Sequence, residues 1–101
     1  MPFGDFINFV PPIGFLAIHV ALFAAGAFFA WRSFDAAQPL LGWGFSLFAL
    51  AEVSYMTYHL DWTTFLFAHT IAEVLNVVAF GLVFVATTRL ILRPSTAAAR
   101  A

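Results

Sequence analysis

Apolar residues occur in three long segments, separated and flanked by short stretches that contain most of the charged residues. The segments run from residue 13 to 34, from 39 to 60 and from 63 to 92. About 20 apolar residues are needed to cross the roughly 30 Å hydrocarbon core of a bilayer, so each segment is long enough to span it as a helix. The pattern predicts an all-α integral membrane protein with one transmembrane domain, residues 13–94.

The connections between the segments are short, and prolines mark two of the predicted helix boundaries. Pro39 suits the first turn of the second helix, and Pro94 stops the third. Short connections place consecutive helices antiparallel, which predicts an up-down-up bundle of three helices.

The two ends of the chain differ from the segments between them. Residues 1–12 place Phe3, Phe6, Ile7 and Val10 at helical spacing, which predicts a short interfacial segment on the membrane surface. An irregular apolar leader is the alternative. The start of the chain lacks the basic region of a signal peptide, so we expect the first helix to be retained. Residues 95–101 are small and polar, and we expect a flexible cytoplasmic tail.

The arginines predict the orientation of the chain. Arg32 lies in the first connection, whereas Arg89, Arg93 and Arg100 lie at or beyond the end of the third segment. With three spans these two regions share one side of the membrane, and the positive-inside rule makes that side cytoplasmic. The sequence therefore predicts a multi-pass protein of the bacterial inner membrane with its N-terminus outside.

Composition excludes several classes of function. The chain has 101 residues, of which 63% are apolar and 9% charged, against about 25% charged in soluble domains. The absence of cysteine excludes thiolate metal sites and disulfides. A net charge of −1 gives no basic footprint for a nucleic acid. The predicted partners are the lipid bilayer and larger membrane-protein subunits.

Five ionisable residues lie inside the predicted spans, namely His19, Glu52, His59, His69 and Glu73. A charged residue at the centre of a membrane helix costs roughly 2.5–3.5 kcal/mol on insertion scales, so such residues mark functional sites by default. The predicted topology places all five in the outer half of the bilayer.

Helical spacing arranges these residues as two polar stripes. The stripe on the second helix is Glu52, Tyr55 and His59, and the stripe on the third helix is His69, Glu73 and Asn76. Residues three, four or seven apart share a helix face, so the stripes can face each other across the hairpin. A partner of Glu52 on the third helix would be Glu73 or Asn76, and a contact between His69 and Glu73 is geometrically easy within that helix. Interhelical hydrogen bonding, at about 0.6 kcal/mol per bond, is the alternative to a functional site.

The histidines are candidate ligands of a tetrapyrrole. His19, His59 or His69 could ligate a haem or a (bacterio)chlorophyll. For a haem with two ligands, His59 and His69 are the nearest pair, and His19 could substitute for either. Fourteen phenylalanines suit packing against carotenoids, porphyrins or acyl chains. Carboxylates and imidazoles together also suit a proton relay or a quinone contact. Too few ligands share one region to predict a metal-ion site.

Small residues predict where the helices pack closely. They are Gly26 and Ala30 on the first helix, and Gly42, Ser46 and Ala49 on the second. Small side chains let helix backbones approach each other in a membrane.

These features favour a non-catalytic accessory subunit of a larger inner-membrane complex, photosynthetic or respiratory. The chain has no nucleotide-binding loop, and the predicted spans leave little of it outside the membrane. Three alternatives stay open. They are a cofactor-binding subunit with a membrane histidine as ligand, a small homo-oligomeric channel or proton carrier using Glu52 and Glu73, and a membrane assembly factor.

Overall fold

A computed structural model describes residues 3–93, which form three α-helices preceded by a short 3₁₀ helix. The 3₁₀ helix spans Asp5–Phe9, and the α-helices are α1 (Pro12–Asp35), α2 (Pro39–His59) and α3 (Phe65–Leu92). All three α-helices are long and apolar enough to cross a membrane. The prediction of an all-helical protein with three such helices is therefore confirmed. The predicted tail, 95–101, and Arg100 lie outside the described residues.

Proline and a left-handed turn define the boundaries of α1 and α2. Pro12 and Pro39 stand in the first turn of their helices, where a fixed φ is favourable and no N–H is needed. Past the end of each helix one residue, Ala37 or Asp61, adopts a positive φ, of 58° and 62° respectively. The amide of the next residue then donates to a carbonyl five positions earlier. This is the Schellman motif, which turns the chain sharply into the next helix.

The three helices form a flat layer with α2 in the centre. α2 packs against both α1 and α3, whereas no Cα atoms of α1 and α3 lie within 8 Å of each other. The principal extents of the molecule are 61, 29 and 20 Å. Three helices in a closed bundle would make three mutual interfaces, and this arrangement has two.

Contacts along α1 and α2 follow an orderly progression. His19 contacts Glu52, Gly26 lies beside Ala49, and Phe34 covers Gly42 near the connecting turn. As the chain advances along α1, its partner on α2 comes earlier in the sequence. The first half of α1 and the second half of α2 are thus held together, at the end of the molecule that also contains the turn after His59.

Small residues form the interfaces between the helices. Within residues 3–93 every buried residue is glycine or alanine except Glu52, including the predicted Gly26, Ala30, Gly42 and Ala49. Ser46 is half-buried, and its hydroxyl donates to the carbonyl of Gly42 in its own helix at 2.8 Å. α3 contributes a stripe that the sequence analysis did not identify: Ala68, Ala72, Ala79 and Ala86. Steps of four and seven keep these alanines on one face.

Large apolar side chains point outward over the whole layer. Phe28, Val77 and Phe84 are examples, at 52%, 71% and 68% exposure. A water-soluble domain of this size would bury such residues, but a bilayer accepts them without cost. The outward phenylalanines and the alanine interior are together typical of helices packed in lipid.

Candidate functional site

A histidine–carboxyl hydrogen bond joins α1 to α2 inside the layer. The Nδ1 atom of His19 lies 2.5 Å from Oε2 of Glu52. Glu52 is 4% exposed and His19 is half-buried, so little water competes for the contact. His19 comes seven residues after Pro12 and Glu52 seven before His59, which places both about 10 Å from the same end of the layer.

Four rings from α1 and α2 stack in a column beside this pair. In order they are Phe15, His59, His19 and Tyr55, with centroid separations of 5.5, 5.1 and 4.9 Å. The angles between adjacent ring planes are 7°, 24° and 20°, so the rings are almost parallel. Two histidines are therefore enclosed between a phenylalanine and a tyrosine.

Tyr55 connects the column to α3. Its hydroxyl donates to Oε1 of Glu73 at 2.7 Å. Its ring lies 6.2 Å from that of His69, which stacks on Phe65 at 5.1 Å. The structure thus brings all three histidines and both membrane glutamates to one end of the layer.

The contacts of Glu52 differ from those expected. The partner predicted on α3, Glu73 or Asn76, is wrong, because the carboxylate turns to His19 on α1. α2 has a neighbour on each side, and residues three apart on a helix point about 60° apart. Glu52 and Tyr55 can therefore share one stripe while the first bonds to α1 and the second to α3. That the polar stripes of α2 and α3 meet across the hairpin is confirmed by the bond from Tyr55 to Glu73.

Among the described residues, His69 makes neither a stack with His59 nor a hydrogen bond with Glu73. His59 stacks on His19 rather than pairing with His69. Among the described residues the hydrogen bond of Glu73 is with Tyr55, not with His69. The lone pairs that ligate a metal lie in the imidazole plane, so two imidazoles stacked face to face cannot sit on opposite sides of one haem iron. A haem with two histidine ligands from the column does not fit this geometry.

Asn76 occupies a different place from the rest of its stripe. Its Oδ1 atom is buried and has no hydrogen-bond partner within residues 3–93. A buried acceptor left unpaired costs about 1–3 kcal/mol. Asn76 therefore has an uncompensated acceptor inside the layer, three residues after Glu73 on α3.

The site consists of two hydrogen-bonded pairs rather than a continuous chain. His19 with Glu52 and Tyr55 with Glu73 are joined only by the stacking of the His19 and Tyr55 rings. Stacked rings transmit no proton, so the described side chains do not by themselves form a proton path. No three histidine or acidic side chains within residues 3–93 converge to hold a metal ion.

His19 has the contacts that orient an imidazole for use. A carboxylate on one ring nitrogen fixes the tautomer and leaves the other nitrogen for a ligand, as in carboxylate–histidine–metal triads. Of the three histidines, His19 alone has such a partner in the part of the chain that the structure describes. Sequence spacing within one helix could not reveal this, since the carboxylate is 33 residues away.

Further contacts of this region were missing from the sequence analysis. The hydroxyl of Ser54 donates across to the carbonyl of Ala68 at 2.8 Å and ties α2 to α3. Phe15 and Phe65 cap the two histidine stacks. The available signal for Phe65 was its position four residues before His69, because that spacing brings side chains together on a helix. The contact of Phe15 with His59 on α2 had no such local signal.

No protein-family model, curated protein or solved structure matches this chain. Its function is therefore argued from the geometry of the site and of the helix layer.

Proposed function

We propose that the chain is a non-catalytic accessory subunit of a larger complex of the bacterial inner membrane, photosynthetic or respiratory. The observation that carries the proposal is the position of Glu73. This residue is exposed on the outside of the layer, and the Tyr55 hydroxyl is its hydrogen-bond partner. A second protein beside α3 would cover it.

Depth in the membrane makes the exposure of Glu73 decisive. It follows the start of α3 by eight residues, about 12 Å along the helix axis, which is well inside a hydrocarbon core of about 30 Å. Ionisable side chains at that depth almost always face other protein or a water-filled cavity, because hydrocarbon offers no hydrogen bonds.

The proposed topology is up-down-up with the N-terminus outside. It is supported by Arg32 near the end of α1 and Arg89 near the end of α3, which the short turns carry to the same side. The positive-inside rule then makes that side cytoplasmic. The exposed Phe6 and Phe9 of the 3₁₀ helix support an interfacial segment at the outer surface. The histidines, Tyr55 and the glutamates would lie in the outer half of the membrane, where they could border a quinone or a pigment of the partner subunits.

Purification of the tagged chain from native membranes in mild detergent tests this proposal. We expect larger membrane subunits to co-purify with the wild-type chain, and Glu73→Leu to release it from them. Thr70→Val is the matched control, because Thr70 is an exposed polar residue of the same helix one turn away. It should leave the complex intact. A wild-type chain that migrates alone, or in a particle made only of its own copies, would contradict the proposal.

A second candidate is a cofactor-binding subunit that ligates a haem or (bacterio)chlorophyll through His19. The contact with Glu52 favours it, since a carboxylate on Nδ1 raises the basicity of the opposite nitrogen as a ligand. The protein would then supply one imidazole, because His59 stacks on the face of that ring. A visible absorption band in the purified wild-type protein, shifted or lost in His19→Phe and weakened in Glu52→Leu, would support it. A colourless wild-type preparation from native membranes would end it.

A further inference from the structure

A basic pocket lies at the opposite end of the layer from the histidines. It has a volume of about 230 Å³ and is formed by the turn between α1 and α2 together with the last turns of α3. The residues that shape it are Ala37, Gln38, Pro39, Arg89, Leu90 and Arg93. Two arginines thus border one small cavity beside a tight turn.

The arginines have no acidic partner in the described structure. Within residues 3–93 no arginine forms a salt bridge, and the one histidine–carboxyl contact, His19 with Glu52, lies at the other end of the molecule. Asp35 ends α1 nearby but does not line the pocket. Arginine stays protonated in proteins, so the pocket is positively charged and selects an anion. A planar guanidinium matches the oxygens of a phosphate group especially well.

An apolar groove opens on the layer between its three helices. Its volume is about 310 Å³, and no polar surface lines it. Gly44 lies on its floor, the α1 residues Ala25 and Phe29 form one wall, and the α3 residues Ala79 and Val83 form the other. The groove exists because α1 and α3 do not meet, so part of the α2 surface between them is left uncovered.

The groove and the pocket are lined by the same side of α3, the side that packs against α2. On α3, Ala79 and Val83 line the groove while Ala86 and Leu90 line the pocket, and steps of four, three and four keep them in one row. On α2, Leu40 of the pocket and Gly44 of the groove are one turn apart. Ala79 precedes Arg89 by ten residues, about 15 Å, which equals half of a 30 Å hydrocarbon core.

We propose that this face binds one anionic phospholipid. The phosphate lies between Arg89 and Arg93, and an acyl chain follows the row from Leu90 to the groove at Gly44. Charge complementarity selects the anionic headgroup, since a zwitterionic lipid would bring a second positive charge to two arginines. The apolar row runs on from the arginines, so it favours a lipid with an acyl chain over a free phosphate. The length of the row, about 15 Å, matches the hydrocarbon thickness of one leaflet.

Native mass spectrometry of the delipidated full-length chain in detergent tests the headgroup part. We expect phosphatidylglycerol to bind at least tenfold more tightly than phosphatidylcholine, because each basic residue near a membrane surface strengthens anionic lipid binding about fivefold. The double change Arg89→Gln and Arg93→Gln should remove this preference. Arg32→Gln is the matched control: it deletes one charge near the same end, but Arg32 lies against the Trp31 ring, outside the pocket. It should keep the preference.

Filling the groove tests the acyl-chain part. Ala25→Phe would occupy the groove, and we expect it to weaken phosphatidylglycerol binding several-fold. Ala24→Phe is its control, since Ala24 is exposed and does not line the groove, and it should bind as the wild type does. Inorganic phosphate should fail to compete at concentrations that saturate with phosphatidylglycerol.

Four results would overturn the proposal. They are equal affinity of the wild type for the two lipids, loss of the preference in Arg32→Gln to the same extent as in the double variant, equal binding by Ala25→Phe and the wild type, and effective competition by inorganic phosphate.

Discussion

His19 on α1 and Glu52 on α2 form a hydrogen-bonded pair that spans the first helix interface from inside the layer. The contact is placed where Glu52 is nearly inaccessible and where the His19 ring is already fixed between Tyr55 and His59. A pair held this way loses little side-chain entropy when it forms, because stacking has already restricted the imidazole. It can therefore specify how far α1 is rotated and shifted against α2, a role that apolar side chains perform with less selectivity.

A double-mutant cycle measures the coupling of this pair. His19→Phe keeps a ring in the column, and Glu52→Leu removes the carboxylate. Each single change leaves the other partner unpaired, so we expect the double variant to be less destabilised than the sum of the two by about 1 kcal/mol. Unfolding in mixed micelles with increasing SDS gives the three free energies. The same cycle with Thr88→Val in place of His19→Phe is the control and should be additive, and additivity in both cycles would contradict the role given to the pair.

A second prediction concerns the hydroxyl of Tyr55 at the α2–α3 interface. Tyr55→Phe keeps the stacked ring and deletes only the donor to Glu73, so we expect a loss of about 1 kcal/mol in the free energy of unfolding. Tyr58→Phe is the matched control, because the Tyr58 hydroxyl makes no hydrogen bond within residues 3–93, while its ring packs edge-on to His59 and Phe65. The control should unfold like the wild type. Equal effects of the two changes in the same SDS titration would argue against the interhelical bond.

Local sequence signals explain why the helices could be predicted and much of the site could not. Each of the first two helices is a long uninterrupted apolar segment that begins with a proline, Pro12 or Pro39, and these two signals together predict a helix and its start. The facing of Tyr55 toward Glu73 also followed, since a short turn aligns the two helices it joins. The pairing of His19 with Glu52 depends on how α1 is rotated against α2, and no spacing within one helix records that rotation.

The flat arrangement of the three helices could not be predicted either, because it also depends on how whole helices pack against each other and not on the spacing within one of them. Small residues such as Gly42 and Ala49 mark an interface, but they do not say whether a third helix closes the bundle. Gly44 was overlooked because it falls between the residues of the predicted stripe on α2. In the structure it faces α3, on the opposite side of α2 from the contacts with α1.

The turn after α1 predicts a stabilising substitution. Ala37 has a φ of 58°, a left-handed conformation that is strained for a residue with a Cβ atom and unstrained for glycine. We therefore expect Ala37→Gly to raise the free energy of unfolding by about 0.5–1 kcal/mol, which would appear as a higher unfolding temperature in detergent. Ala36→Gly is the control one residue earlier, where φ is −87°. There glycine only adds freedom to the unfolded chain, so the substitution should be neutral or destabilising. The reverse ranking would mean that the turn is not formed as described.

The most specific prediction about packing concerns Gly44, because backbone atoms of α3 are among its nearest neighbours. A Cβ atom at this position would lie 2.7 Å from Cγ2 of Val83, 3.1 Å from the carbonyl oxygen of Ala79 and 3.4 Å from the backbone nitrogen of Val83. Val83 could change rotamer, but the α3 backbone can only move away as a unit. Gly44→Ala should therefore destabilise the protein by about 1–3 kcal/mol. Gly81→Ala on α3 is the matched control, since nothing lies within 4 Å of the methyl group that it would introduce, and it should be neutral or stabilising. Both are measured by unfolding in SDS micelles, and a Gly44→Ala variant as stable as Gly81→Ala would show that α2 and α3 do not approach as closely as their alanine and glycine stripes indicate.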